Sequence, residues 1–286
     1  MTATQRQALV FGGSGQIGIA LLHALHARGW QCLALSRHDQ PSMPSVQWLR
    51  GDFANLPELP GTVDAIFSCG PLDHFAAWYA GASLAARNVV AFGSTSLETK
   101  RASSDEAERD LAQRLDDAER LVFDTARRRN VAATLLRPTL VYGAGRDRSL
   151  ARIAEIAVRR GFFLLPAQAT GLRQPVHVDD LAQAALAAID APAAAGRPYA
   201  LPGGETLTYR AMVARTLQAL QPPPRLFVLP DALFRVALAT ARIAGLKGLG
   251  DAAVARMRED LVFDATPAQR DLGYAPRPFD PVLRRD

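Results

Sequence analysis

The residues in this chain with the plainest chemical use are glycines. Gly12-Gly13-Ser14-Gly15-Gln16-Ile17-Gly18 follows the apolar run Ala8-Leu9-Val10-Phe11 and leads directly into Ile19-Ala20-Leu21-Leu22. A strand that ends in a glycine-rich turn and opens into a helix aims backbone N–H groups and a helix N-terminus at an anion. That is the arrangement that holds a dinucleotide pyrophosphate. In this reading Gly12 permits the tight turn, Gly15 lets the backbone approach the pyrophosphate, and Gly18 lets the helix lie close to the strand. Gly13, Ser14, Gln16 and Ile17 complete the loop. A glycine turn of purely structural use is the alternative.

The end of the second strand decides which dinucleotide fits. An acid there bonds the 2′-hydroxyl of NAD, whereas an arginine accommodates the 2′-phosphate of NADP. The run Leu33-Ala34-Leu35 ends in Ser36 and Arg37, with no carboxylate. A hydroxyl and a guanidinium suit a phosphate, so the expected cofactor is NADP(H) rather than NAD(H). The competing reading makes Arg37 a surface arginine on a loop. After the third strand, Asp52 is placed to accept a bond from the adenine amino group, with Phe53 packing nearby. Ser68-Cys69-Gly70 ends the fourth strand, where the backbone would pass the cofactor.

Together these pieces resemble the extended short-chain dehydrogenase/reductase superfamily, in its nucleotide-sugar epimerase/dehydratase branch. The resemblance rests on the glycine turn, Gly51-Asp52-Phe53, Phe92-Gly93-Ser94-Thr95-Ser96, the run from Leu136 to Gly143, and Pro175-Val176-His177-Val178-Asp179-Asp180-Leu181. These motifs occur in the family's order over about the first two thirds of the chain. The resemblance implies a Ser/Thr, Tyr and Lys set: the tyrosine exchanges a proton with the substrate oxygen and the lysine lowers its pKa. Thr95 lies where the family places its Ser/Thr, with Ser94 and Ser96 beside it. The Tyr and Lys positions hold Leu111 and Leu115, and no tyrosine occurs between Ser96 and Leu136. The chain therefore reads as an atypical member that keeps the cofactor half of the site. If it is an enzyme, its proton must come from Tyr142, His74, Tyr79, Lys100, His177 or water. Each has a plainer use: loop shape for Tyr142, a helix start for His74, a backbone bond for His177, a solvated loop cation for Lys100.

Two functions follow. The first is an NADP(H)-dependent oxidoreductase or epimerase-like enzyme on a small polar substrate, with Thr95 bonding the substrate oxygen. The second is a non-catalytic NADP(H)-binding sensor or assembly protein. A scaffold that no longer binds nucleotide is a third reading, against which the intact glycines and Arg37 stand.

These residues need a scaffold. The expected fold class is α/β: a Rossmann-type doubly wound parallel sheet with a smaller, mainly helical C-terminal substrate lobe. Apolar runs place strands at 8–12, 31–36, 46–49, 63–68, 88–93 and 131–137, with helices at 16–28, 73–86 and 104–129. Further helices are expected at 149–160, 206–220 and 230–245, and either Asp179 or Asp180 as the cap of the helix that follows them. The division is 1–145 for the dinucleotide domain, with 174–195 returning to it, and 146–286 mainly for the lobe.

Composition narrows the remaining classes. The hydrophobic fraction of 49% and charged fraction of 21% are those of an ordinary soluble protein. Cys32 and Cys69 are too few for a disulfide framework or a four-ligand zinc site, so no metal is expected and the thiols read as reduced and cytoplasmic. Residues 1–6 lack the apolar core of a signal peptide, and 232–246 is too short to span a bilayer. The net charge of +5 is spread along the chain without an aromatic-interleaved basic stripe, which argues against nucleic acid and suits steering of an anionic substrate. Related folds often dimerise through the helix pair at 73–86 and 104–129, so a homodimer is open to this chain.

Overall fold

The computed structural model describes residues 5–143, 145, 148–243 and 251–282. In chain order, β1 (Gln7–Phe11) leads through the glycine turn to α1 (Gln16–Ala27), followed by β2 (Gln31–Ser36), β3 (Val46–Arg50) and β4 (Thr62–Ser68). Then come α2 (Leu72–Gly81), β5 (Ala85–Phe92), a short α3 (Ser96–Lys100), α4 (Glu106–Arg129) and β6 (Ala132–Pro138). Next are β7 (Val141–Tyr142), α5 (Arg148–Arg160), β8 (Phe162–Pro166), β9 (Leu172–Arg173), β10 (Val176–His177), α6 (Val178–Asp190) and β11 (Arg197–Leu201). The chain closes with β12 (Leu207–Thr208), α7 (Tyr209–Gln218), β13 (Arg225–Leu229), α8 (Asp231–Ile243), α9 (Asp251–Arg256) and α10 (Thr266–Leu272).

Seven strands form one sheet in the order β3-β2-β1-β4-β5-β6-β11, and every neighbouring pair is parallel. Parallel strands need crossovers, and the crossover helices cover both faces, so the central strands are apolar throughout. Leu9, Ala65, Ile66 and Val89 are fully buried. One face packs on α1 and α6 through Leu21, Leu25, Leu181 and Leu186. The other packs on α2 and α4 through Phe75, Tyr79, Val122 and Ala126. The strand order reverses between β1 and β4, which is the topological switch point where open α/β sheets bind ligands. This is the expected Rossmann-type architecture.

Several expectations are corrected. The helix expected over 73–86 stops at Gly81, because Ala85 and Ala86 pair with Thr62 and Val63 and so belong to β5. α6 is capped by neither aspartate: His177 Nδ1 accepts the Asp179 N–H at 3.2 Å, and both aspartates lie in the first turn. α7 begins at Tyr209, not 206, because Leu207-Thr208 pair with β9 and the Thr208 hydroxyl caps the helix. β8, β11 and β13 were not expected. Residues 244–245 of the expected last helix, Arg146 beside the expected domain boundary, and Met1–Thr4 lie outside the described residues. The lobe has its own core of Leu150, Ile153, Phe163, Leu165, Met212 and Leu217. Among the described residues, no helix is long and apolar enough to cross a membrane, and no cluster of three or more His, Cys, Asp or Glu side chains could hold a metal ion.

One polar pair ties the sheet to its longest helix. Arg137 on β6 donates through Nε to Glu119 of α4 at 2.9 Å and through Nη2 to the second carboxylate oxygen, while Nη1 reaches Glu98 at 2.9 Å. Glu119 is almost fully buried. Breaking such a pair leaves a buried charge without its partner, so Arg137→Met should cost about 3–5 kcal/mol. The double variant Glu119→Leu/Arg137→Met should cost less than Arg137→Met alone. Urea midpoints at unchanged m-value check this.

Candidate functional site

The glycine turn is built by close backbone approach. Gly12 sits at φ +68°, and a Cβ there would stand 2.9 Å from the backbone of Cys69 and Gly70. A Cβ on Gly18 would stand 2.2 Å from the Gly12 carbonyl oxygen, so the first turn of α1 rests directly on the loop. The Gly15 N–H donates to the Gly12 carbonyl at 2.9 Å and Gly15 caps α1 in an extended conformation. Gly13 lies against Ala34 and Trp48. Ser68 is buried at the end of β4, and its hydroxyl makes no hydrogen bond among the described residues. The turn thus meets the ends of β1, β2 and β4, as the sequence places it.

A cleft of about 480 Å³ opens beside this turn, lined by Ser14, Gly15, Gln16, Thr139, Leu140, Val141 and Ser149. Gln16 ties its two sides together by donating through Nε2 to the Gly143 carbonyl at 3.1 Å. Thr139 to Val141 stand within a motif of the sequence. Nothing in the sequence signals Ser149, because the loop before it carries no interpretable pattern.

At the tip of β2 the reading changes in one respect. The Ser36 hydroxyl is buried and spent on its own loop, donating to the His38 carbonyl at 2.7 Å and accepting the His38 N–H at 3.2 Å. It shapes the turn instead of facing a phosphate. Arg37 is exposed and, among the described residues, makes no hydrogen bond or ion pair. Arg50, level with Ser36 on the neighbouring strand, forms a loose exposed pair with Asp39 at 3.7 Å. Asp52 Oδ1 accepts the N–H groups of Ala54 and Asn55 at 2.9 and 3.0 Å, so this carboxylate oxygen organises its own turn rather than reaching for an adenine. Phe53 stacks on Phe11, with ring centroids 4.9 Å apart. Cys69 lies next to the turn, and burial pushes its thiol up to about 12, so it is not a thiolate at neutral pH.

The candidate proton donors separate sharply. Thr95 is buried and its hydroxyl donates to the Pro138 carbonyl at 3.1 Å, which turns it into the protein. The expectation that Thr95 faces substrate is corrected accordingly. Ser94 and Ser96 are partly exposed, and Ser94 Oγ accepts the Ser96 N–H at 3.1 Å, which leaves its own proton free. Tyr142 is buried and donates to the Pro278 carbonyl at 3.3 Å while accepting the Asp280 N–H at 3.2 Å. Burial holds its pKa above the ordinary phenol value. Tyr79 is buried in the core against Phe75, with Arg129 over its ring, and burial raises its pKa also. His74 is exposed near Phe53, at 6.2 Å between rings. Lys100 pairs with Glu108 at 3.4 Å, and Glu108 also receives Arg256 from the C-terminal lobe and the Ser103 hydroxyl at 2.8 Å. That junction was not foreseen. Leu111 and Leu115 lie one turn apart on α4, partly buried, with Leu115 packed into the core.

The comparisons with known proteins agree with this geometry. Residues 117–201 match the NAD dependent epimerase/dehydratase family. The 2-alkyl-3-oxoalkanoate reductase of Stenotrophomonas maltophilia (strain K279a) is 28% identical over 94% of each chain. The chain is thus similar, in sequence and in fold, to proteins of the NAD dependent epimerase/dehydratase type. Solved structures of this fold superpose over nearly its whole length. An epimerase from Methanothermobacter thermautotrophicus gives a TM-score of 0.71 at 14% identity, covering 96% of this chain and 88% of its own. MoeE5 in complex with UDP-glucuronic acid and NAD gives 0.70 at 19% identity, covering 96% and 94%. UDP-glucuronic acid 4-epimerase from Bacillus cereus in complex with NAD gives 0.67 at 13% identity, covering 97% and 96%.

Two outcomes follow from this geometry. Gly18→Ala forces a methyl group into the Gly12 carbonyl, so it should cost about 1–3 kcal/mol and weaken dinucleotide binding more than a surface Gly→Ala does; denaturation and titration check it. His177 is half-buried, and burial lowers its pKa against the opposing pull of Asp179. Its folded pKa is below its unfolded one, so its stabilising share is present above the unfolded value and is lost as pH falls through the folded one. His177→Asn, which keeps a capping group, should flatten the stability profile on the acidic side of neutrality. An unchanged slope there would remove His177 as its cause.

Proposed function

We propose that the chain is an NADP(H)-dependent oxidoreductase or epimerase-like enzyme that handles a small polar carbonyl compound with an acid/base other than a Tyr–Lys pair. The observation that carries the cofactor choice is Arg37. It is an exposed guanidinium without an ion-pair partner among the described residues, at the tip of β2, next to a strand end that lacks an acid. An acid at that strand end would repel a 2′-phosphate, and Arg37 would attract one. The Ser36–His38 bonds stiffen the loop that presents it. The glycine turn would hold the pyrophosphate, and the bound nicotinamide would supply or accept the hydride.

The substrate side rests on the end of β5. Ser94 and Ser96 are the hydroxyls with exposure there, so we assign the bond to the substrate oxygen to Ser94 with Ser96 beside it. The reductase from Stenotrophomonas maltophilia is named for a 3-oxo acid, which is both a carbonyl compound and an anion. A substrate of that kind suits the chain's +5 charge through steering. The second reading, a non-catalytic NADP(H)-binding protein, is favoured by Leu111 and Leu115, since aliphatic side chains relay no proton.

The deciding experiment offers NADPH and a panel of carbonyl compounds that includes 3-oxo acids, and follows NADPH oxidation in wild type and Ser94→Ala. Oxidation that falls at least about tenfold in the variant, with NADPH affinity unchanged, supports the enzyme. Tight NADPH binding without oxidation by any compound supports the non-catalytic reading. The cofactor assignment has its own test in Arg37→Asp. Loss of one charge-assisted contact to the phosphate should shift preference from NADPH towards NADH by about 10- to 100-fold. Unchanged selectivity would show that Arg37 does not read the phosphate.

A further inference from the structure

The lobe carries a surface that neither the cofactor site nor the sheet uses. α8 buries Phe234 against the lobe, yet it is apolar on its outer side as well: Leu233 is 57% exposed and Val236 61% exposed. Ala232, Val236 and Ala239, spaced three to four apart, share one exposed helix face. β13, which runs straight into α8, exposes Phe227 at 45%, and Val158 at the end of α5 is exposed beside Arg159 and Arg160. Single exposed apolar residues are ordinary, but a helix that is apolar on both sides has a covered side and one that awaits cover.

The charge around this patch says what could cover it. Arg159, Arg160, Arg225 and Arg235 stand here against two carboxylates, Glu155 and Asp231. Their surplus is positive, as is the net charge of +5 of the entire chain. Both carboxylates are already paired, Glu155 with Arg159 at 2.5 Å and Asp231 with Arg258 at 2.9 Å. Arg159, Arg160, Arg225 and Arg235 are exposed. A second copy of the chain would bring this surplus against itself, and like charges across an interface are unfavourable. A nucleic acid would meet the charge but would leave Leu233 and Val236 without a partner. An interfacial apolar helix with arginines at its border matches an anionic lipid surface.

We propose that α8, with β13 and the end of α5, is a membrane-surface docking face. Leu233, Val236 and Phe227 enter the headgroup–acyl boundary while Arg159, Arg160, Arg225 and Arg235 meet anionic headgroups. The protein lies on the bilayer by this face; of its elements only α5 also lines the cleft beside the glycine turn, through Ser149 in its first turn and not through its end.

The test is co-sedimentation of the full chain with vesicles of phosphatidylcholine alone or mixed with phosphatidylglycerol. Binding is expected to the mixed vesicles only, and to weaken as salt is raised. Leu233→Asp/Val236→Asp should reduce the bound fraction at least about tenfold, because two buried aliphatic side chains are lost from the lipid boundary. Arg159→Gln/Arg160→Gln is an independent variant on a different element and should weaken binding several-fold. It decides the matter if the aspartate variant fails to fold. Absence of binding to the mixed vesicles, or equal binding by wild type and both variants, would overturn the proposal. So would a dimer in solution that the aspartate variant dissolves, which would give the face to a second copy. Binding to nucleic acid that needs the arginines but not Leu233 and Val236 would overturn it as well.

Discussion

The structure depends on how closely its backbone segments approach one another at the glycine turn. The Gly12 backbone touches that of Cys69 and Gly70 at the end of β4, and the first turn of α1 rests on the Gly12 carbonyl through Gly18. No side chain fits at either contact. This packing brings the ends of β1, β2 and β4 to one place, and it leaves the N-terminus of α1 facing open space at the switch point of the sheet. The cleft, the position of Arg37 and the stacking of Phe53 on Phe11 all inherit their geometry from it. The space in which we propose a phosphate-bearing cofactor is therefore a consequence of how the sheet is closed, and not an addition to it.

Much of this was legible in the sequence because the signals are local. A strand, a glycine turn and a helix in sequence order dictate their own arrangement, and the continuous apolar runs could belong only to strands buried on both faces. What was not legible depended on distant partners. β11 contains Pro198, which reads as a break; it is tolerated because β11 is the sheet's outermost strand and pairs with β6 alone. Ala85 and Ala86 have helical propensity, but the edge of β4 recruits them. His177 looked like a residue before a cap and is itself the cap.

The site divides along the same line. The glycine turn and Arg37 stand where the sequence puts them because strand ends fix their positions. The hydroxyls and phenols could not be read so, since their use is set by where their own protons go. Thr95 turns inward to a carbonyl on β6, and Tyr142 is held by Pro278 and Asp280 from the far end of the chain. With these groups occupied and Leu111 and Leu115 on α4, the partly exposed hydroxyls of Ser94 and Ser96 at the end of β5 are the ones we assign to a substrate oxygen. The Lys100–Glu108–Arg256 junction adds a polar contact between the sheet domain and the lobe at the entrance to α4.

The proposed dinucleotide site, preformed and with a preference for a 2′-phosphate, can be examined first in the wild-type chain. Trp48 lies against Gly13 and Trp78 packs on Phe11, so tryptophan emission reports on the turn. Parallel titrations with NADPH and NADH should show quenching by both, with NADPH at least about tenfold tighter, the worth of one charge-assisted contact. Equal affinities, or tighter binding of NADH, would contradict the account.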